Sequence, residues 1–488
     1  MGIVIKQSIS NTVITYVGFA IGAANTLFMY PHILGKDFYG LTGYVLSAAN
    51  VIMPLMAFGV HNTLVKFFSG YRSEQEKDRF LTYLLLLPLL VAVPLLILSL
   101  VFYEPVAALL SKKNPIIFDY CWQIPLIGLF MAYFEIFYAW VKVHLKSVFG
   151  SFAREILLRL LITAGLFTVF FKWISAGTFV NLTVLIYGVI TIVMGISAFK
   201  VRQFKADLRF PENRKAVFNY SIYIILSGSI ANMLLDLDKF MMGFYIHIDN
   251  IAFYNVAIFI ATVISVPSRA MHQIAYPITA KLMAEDKYIE LNELYKKTSI
   301  SLQLVGGLVF VGILVNIKQV YLLLPAEYGQ GMFTVFVIGL SKYLDLILGN
   351  NNAIIFNSKY YRAVLLLGLL LAALMIGLNM FLIPKMGIDG AALATLASIA
   401  LYSLSKLLFV VFKMKLYPFS KQTLYSFAIL TATFCMFYYW DFPFHPIPNI
   451  ALKSILVTVF FIGINYWLRI SPDVNSVIDK GFALLRRK

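Results

Sequence analysis

The sequence predicts an all-α, polytopic membrane protein that crosses the bilayer about fourteen times. Three observations lead there. First, 60% of the 488 residues are hydrophobic and only 13% are charged, with a mean hydropathy of +0.83. Soluble domains run near 45–50% apolar and roughly 25% charged, so a soluble enzyme is excluded. Second, the apolar residues gather in runs of roughly 20, the length that spans the hydrocarbon core as a helix. Third, the basic residues alternate between the two sides of those runs, as the positive-inside rule requires.

In chain order, the first six spans are expected over 11–30, 41–65, 81–103, 116–140, 155–171 and 178–199. A basic stretch from Lys200 to Lys215 interrupts the pattern. Six more follow over 217–238, 251–275, 299–323, 332–355, 364–383 and 390–412, then two over 424–440 and 451–468. The domain reading is a six-helix lobe over 1–199 and a basic cytoplasmic linker over 200–216. A second six-helix lobe covers 217–412, and 413–488 supplies two extra helices and a basic tail. With the N-terminus cytoplasmic, 28 Lys and Arg fall on cytoplasmic segments, 8 on the opposite side and 4 (Arg159, Arg269, Lys342 and Lys406) at membrane depth. Both termini are then cytoplasmic.

The same asymmetry explains the net charge of +17 and the pI near 9.5 without a nucleic-acid partner. Cys121 and Cys435 both lie in apolar stretches, so no disulfide is expected. Lys6 precedes the first apolar run and no small-residue cleavage site follows it, so that span is expected to be retained. The longest outer loops, 104–115 and 441–449, hold about ten residues each and leave no room for an outer catalytic domain. No phosphate loop, HExxH, GxSxG or CxxC pattern occurs, and no cofactor or metal is expected.

A weak internal repeat supports two halves. Leu34-Gly-Lys-Asp-Phe-Tyr-Gly through Pro54 can be laid over Ile246-His-Ile-Asp-Asn-Ile-Ala through Pro267, which puts Asp37 on Asp249 and Gly40 on Ala252. Parallel repeats of whole bundles around a central site are a recurrent transporter plan. Gly18 with Gly22, and Gly390 with Ala394, form small-residue faces that let helices approach closely. Pro54, Pro88, Pro94, Pro125, Pro267 and Pro277 lie inside spans and are expected to kink them.

Ionisable groups inside a bilayer are costly and point to a cavity or a partner. Arg269 lies two residues after Pro267 in the eighth span, with His272 one turn on; its fork of donors suits phosphate oxygens, and the alternatives are snorkelling to the cytoplasmic interface or a bond to a backbone carbonyl freed by Pro267. Lys342 and Asp345 are three apart on one face of the tenth span, either a self-neutralising pair or one that opens for substrate phosphate or a cation. Glu135 in the fourth span and Arg159 in the fifth are placed to pair across the bundle, with Glu135 also a protonation candidate. His61 in the second span either lines the cavity or is a hydrogen-bonded core histidine. Asp236, Asp238 and Lys239 stand near the outer end of the seventh span, where a hydrated interface is expected; Asp238 is also a candidate for ion coupling.

Leu382-Ile-Pro-Lys-Met-Gly-Ile-Asp-Gly-Ala-Ala-Leu-Ala-Thr-Leu396 resembles a segment of bacterial polysaccharide flippases, the Wzx-like exporters of the multidrug/oligosaccharidyl-lipid/polysaccharide (MOP) superfamily. Asp238-Lys-Phe-Met-Met-Gly-Phe-Tyr245 and Leu34-Gly-Lys-Asp-Phe-Tyr-Gly40 are similar to two further segments of that family. The resemblance runs from residue 1 to about 412, with the last two helices matching in position only. It implies a MATE-like V of two six-helix lobes that flips undecaprenyl-diphosphate-linked oligosaccharide by alternating access; coupling to H+ or Na+ is expected separately, through Glu135, Asp345 or Asp238. It further implies basic cavity residues on the first, second and eighth helices and a groove for the lipid tail on the last two. Arg269 occupies a position comparable to the eighth-helix arginine. Asn25 and Tyr30 stand where lipid II flippases carry arginine in the first helix, and His61 is in the second, which favours a different lipid-linked glycan. Partners implied are that glycan lipid, membrane lipid, and a polysaccharide polymerase or glycosyltransferases of the same pathway. The rivals are a cation-coupled multidrug exporter of the same superfamily and a membrane glycosyltransferase or O-antigen ligase.

Overall fold

The computed structural model describes residues 2–203, 205–228, 230–472, 474–476 and 478–479. By contacts the chain divides into two compact units, one of Met1–Asn255 with Asn379–Ile388 and one of Val256–Leu378 with Asp389–Lys488. All regular structure among the described residues is helical.

The first unit begins with α1 (Gly2–Ala23), continued as a π-helix over Ala24–Leu34 that contains Pro31. Gly35 turns the chain at φ 69 into α2 (Gly35–Met56), a conformation only glycine adopts without strain. Gly59, at φ 64, separates α2 from α3 (Val60–Phe67) three residues beyond the last turn of α2, which holds Pro54. Ser73 and Glu76 form a capping box that starts α4 (Glu74–Leu86), and Pro88 divides it from α5 (Leu89–Val101). α6 (Tyr103–Ser111) and a 3-10 turn over Pro115–Tyr120 lead to α7 (Gln123–Val143). Pro125 sits in the first turn of α7, where no intrahelical N–H is required, so it starts that helix instead of kinking it. The expected fifth span is α8 (Ser147–Phe152), a π-turn over Ala153–Leu157 and α9 (Leu158–Phe170). α10 (Ala176–Val201), capped by Ser175, α11 (Arg214–Gly228) and α12 (Ile230–Tyr245) follow, and α13 (Asp249–Thr262) carries the chain into the second unit.

α14 (Val266–Ala284) has Pro267 in its first turn and Pro277 inside. α15 (Tyr288–Tyr321) is the hub of the second unit; α14, α16 (Met332–Leu346), α19 (Lys421–Tyr438) and α20 (Pro446–Trp467) all pack on it. Between them lie α17 (Asn351–Asn357) and α18 (Tyr361–Phe409). At 1.5 Å per residue the 49 residues of α18 would measure about 74 Å, more than twice a bilayer core, and Gly387 breaks it at φ 58, ψ −131. That break divides the eleventh expected span from the twelfth, inside the segment that carries the family resemblance.

Eight helical stretches among the described residues are long and apolar enough to cross a membrane, nine if α16 and α17, bent by 49°, count as one. The fourteen crossings read from hydropathy are not reached by this measure. One reason is fusion: Ser10–Met56 and Leu366–Met414 each contain two of the expected spans. The break at Pro88 does not lower the number, since Glu74–Val101 passes as one stretch across it.

The small-residue face of α1 packs as expected. A Cβ on Gly18 would lie 2.5 Å from the carbonyl oxygen of Glu155, and one on Gly22 would lie 3.0 Å from the Arg159 guanidinium. Gly390 and Ala394 are likewise buried. Cys121 and Cys435 are both free.

The basic linker is strapped to α4. Arg79 Nε reaches Asp207 at 2.9 Å, Arg202 reaches Asp78 at 2.8 Å, and the Asp207 N–H donates to Thr82 Oγ1 at 3.1 Å. Arg209 and Arg79 together hold the Asp207 carboxyl far below the usual carboxylate range. Such a group stabilises its fold above its unfolded-state pKa, and the contribution is lost as pH falls through the depressed folded value. Trypsin should therefore cleave the native linker at an unchanged susceptibility between pH 7 and pH 5 after correction for enzyme activity. Asp207→Asn should raise cleavage at Lys205 and Arg209 several-fold at pH 7; equal rates for both proteins would show that the strap does not depend on this carboxylate.

Candidate functional site

Each unit holds its own constellation of charge at the depth of the apolar helices. In the first unit Glu135, on α7, is met by Arg154 from the π-turn 153–157, which hydrogen-bonds its carboxylate. A π-turn is a common device for re-aiming a functional side chain. The guanidinium carbon of Arg154 lies 4.7 Å from the Tyr138 ring centroid, and Lys142 Nζ lies 3.9 Å from the same ring. Tyr138 is held in turn by Ser151 at 2.8 Å, and Gly150 leaves room for its ring, since a Cβ there would fall 2.1 Å away. His61 is half-buried, contacts Asn62 Nδ2 through Nε2 at 3.0 Å, and feels the charges of Glu135, Lys142 and Arg154. Beside this pair lies a cavity of about 180 Å³ lined by Asn50, Met53, Phe134, Glu135, Arg154 and Tyr187, among others. It is polar on one side and roomy enough for several waters.

The expected pairing of Glu135 with Arg159 is corrected here: the cation on Glu135 is Arg154, and Arg159 reaches Glu155 on its own helix at 3.2 Å. Arg154 precedes the fifth expected span by a single residue, on the cytoplasmic side of the basic alternation. The missed signal was that an acid fixed at membrane depth recruits the nearest base, including one at a span's edge. Asn25 is 3% exposed; its Nδ2 donates to the Arg159 carbonyl at 3.1 Å and its Oδ1 accepts from Thr163 at 2.9 Å, so both ends of the amide serve the seam with α9.

Asp238 also departs from expectation. It is 2% exposed and accepts a hydrogen bond from the Tyr254 hydroxyl at 2.5 Å, so it sits inside the first unit and not at a hydrated interface. Its neighbour Asp236 pairs with Lys239 at 2.5 Å and accepts from Ser47 at 3.1 Å.

In the second unit the carboxylate of Asp345 meets Lys406 of α18 at 3.0 Å, and Ser403 donates to the same oxygen at 3.1 Å. Lys406 Nζ also reaches Asn352 Oδ1 at 3.2 Å and lies 4.3 Å from the Tyr402 ring centroid. The two partners differ in access, for the Lys406 side chain is 2% exposed and that of Asp345 is 47% exposed. Asp345 also feels the charge of Lys342, and His272 feels those of Asp345 and Lys406. The expected self-neutralising pair of Lys342 with Asp345 is corrected in one respect: the hydrogen-bonded cation is Lys406. Its presence at membrane depth was legible, and its partner was not. Asn350 and Asn351 are spent on structure, with Asn350 bonded to Thr298 and Thr279 and Asn351 to Tyr295. Arg269 is exposed and makes no hydrogen bond or ion pair among the described residues. Those residues also contain no group of three or more His, Cys, Asp or Glu that could hold a metal ion.

The chain is a multi-pass helical protein with a buried charge constellation in each unit, and its fold is shared with solved membrane proteins. The structure superposes on that of a lipid II flippase, MurJ in an inward closed conformation, with a TM-score of 0.73 and 15% identity, covering 95% of this chain and 100% of the other. An inward-facing multidrug resistance MATE transporter of the MOP superfamily gives a TM-score of 0.63 at 13% identity, over 82% of this chain and 94% of that one. In sequence, 252 residues are 25% identical to a Haloferax volcanii protein named "Probable flippase AglR". That match spans 49% of this chain and 52% of the relative, about half of each. No family model matches the chain.

Proposed function

We propose that the protein is a flippase that moves an undecaprenyl-diphosphate-linked oligosaccharide across a bacterial cytoplasmic membrane by alternating access, with both termini in the cytoplasm. The observation that carries this reading is that each unit keeps ionisable groups among its apolar helices with access to open space: Glu135 and Arg154 beside a cavity, Asp345 half-open, and Arg269 exposed. Dragging a charged, hydroxylated head group through hydrocarbon costs many kcal/mol, and such groups supply the alternative route. Arg269 would meet a phosphate oxygen through its fork, with Lys342 and His272 of the same unit as further polar contacts. Glu135, Asp345 and Asp238 would couple the cycle to H+ or Na+. A relative named as a flippase and a fold shared with a lipid II flippase support the reading. A polymerase or glycosyltransferases of the same pathway would then be its partners.

The half-open Asp345 and the shared fold of MATE transporters favour one second reading, a cation-coupled multidrug exporter. Proteoliposomes decide between them. With a fluorescent polyprenyl-diphosphate disaccharide, the wild type should expose inner-leaflet label to an outside quencher, and Arg269→Ala should weaken head-group binding about ten- to hundred-fold, the worth of one charged hydrogen bond. Unchanged affinity would remove Arg269 from the site. Efflux of a cationic dye under an ion gradient, with no lipid movement, would establish the exporter instead.

A further inference from the structure

The structure assigns a second, separate binding site to the polar end of the second unit, a pocket for a phosphate-bearing head group. The pocket has a volume of about 510 Å³, within the range of small-molecule sites. It lies where α14 ends, α15 and α18 begin, and α17 and the π-turn Val410–Met414 finish. Lys359, Lys413, Asn357 and Ser358 line it together with Met283 and Met414, and among the described residues no acidic side chain does. None of these residues belongs to the charge constellations described above.

Its walls are built, not accidental. Met283 and Met414 pack against a buried cluster of Leu291, Tyr295, Ile354, Ile355, Val410 and Leu416. Lys359 Nζ lies 5.3 Å from the Tyr360 ring centroid, and that ring stands edge-on to Phe409 at 5.5 Å. Ser358 Oγ donates to the Ile355 carbonyl at 2.8 Å and accepts from the Tyr360 N–H at 3.0 Å, fixing the joint between α17 and α18. Lys413 is presented by the π-turn, which Lys415 closes at φ 55. The neighbouring acid, Glu285, is committed to Lys287 at 2.8 Å, and that partner holds its carboxyl below the usual range.

Two ammonium groups without an acid select an anion, and the methionine wall accepts the apolar part of the molecule that bears it. A phosphate ester at the membrane surface has both features, whether it is the head group of an anionic lipid or a soluble phosphorylated compound. The site does not depend on the transport reading.

Binding to the purified full chain in neutral detergent tests it, read by tryptophan fluorescence and by the thermal midpoint. Dihexanoyl phosphatidylglycerol should bind more tightly than zwitterionic dihexanoyl phosphatidylcholine, and Lys359→Gln with Lys413→Gln should weaken it at least about ten-fold. Ala284→Trp keeps both charges but fills the mouth, and it should weaken binding to a similar degree. An unliganded thermal midpoint equal to wild type certifies each variant. Displacement of the lipid by inorganic phosphate or glycerol phosphate at millimolar concentration would support the site with a soluble ligand; no displacement would support it with a lipid. Wild-type affinity in both the double variant and Ala284→Trp, or equal affinity for the two lipids, would overturn it.

Discussion

Asp345→Asn should destabilise the protein far more than Lys406→Met, although the two residues form one ion pair. The asymmetry follows from access. The Lys406 ammonium is 2% exposed, so removing its carboxylate leaves a buried charge with only Asn352 and the Tyr402 ring for compensation. Stranding a buried charge in this way costs about 3–5 kcal/mol. Lys406→Met removes the buried charge itself and leaves a carboxylate that is 47% exposed and still accepts from Ser403. That change behaves like the loss of a partly solvated pair, within about 1 kcal/mol. The double variant, with neither charge, should recover most of the loss of Asp345→Asn. Thermal midpoints of the four proteins in one detergent check the ranking, and equal losses for the two single variants would refute the assignment of Lys406 as the buried member.

Gly40→Ala should be severely destabilising, which reverses the usual sign for a helical glycine. Alanine in place of glycine inside a helix ordinarily gains about 1 kcal/mol. At position 40 the new Cβ would fall 2.0 Å from the carbonyl oxygen of Ile248 and 2.8 Å from its carbonyl carbon. Those are backbone atoms, so no side chain can rotate away. The start of α2 would have to separate from the start of α13, where Lys36 also reaches Asp249 at 3.7 Å. The cost should exceed the roughly 1–3 kcal/mol of an ordinary overpacked core. Gly377→Ala, where nothing lies within 4 Å, is the control and should be neutral or stabilising. The fraction of monodisperse protein after extraction reads both; a well-folded Gly40→Ala would show that the two helix starts are not in contact. The residues laid over each other in the internal repeat, Asp37 with Asp249 and Gly40 with Ala252, thus come from two helix starts that touch.

Much of the architecture was legible because it rests on local properties. Hydropathy located the apolar segments, and of the prolines expected to bend them Pro88 stands where α4 gives way to α5. Small residues at i and i+4 located the seam of α1 at Gly18 and Gly22. The number of crossings was less legible, because a hydropathy run does not say whether a helix continues, bends or stops inside it. Asp238 was misread for the same reason: a position near the end of an apolar run says nothing about what packs over it.

The sequence by itself determined that this is a helical membrane protein with charge inside its apolar segments, because burying that many apolar residues leaves a bilayer as the only compatible solvent. Only the tertiary structure decided which acid meets which base. Glu135 and Arg154 stand 19 residues apart and Asp345 and Lys406 stand 61 apart, and no helical period links such positions. The choice is made when helices pack: in a low-dielectric interior a charge must reach its partner within a few ångströms, and helix rotation and the π-turn at 153–157 set which side chains can.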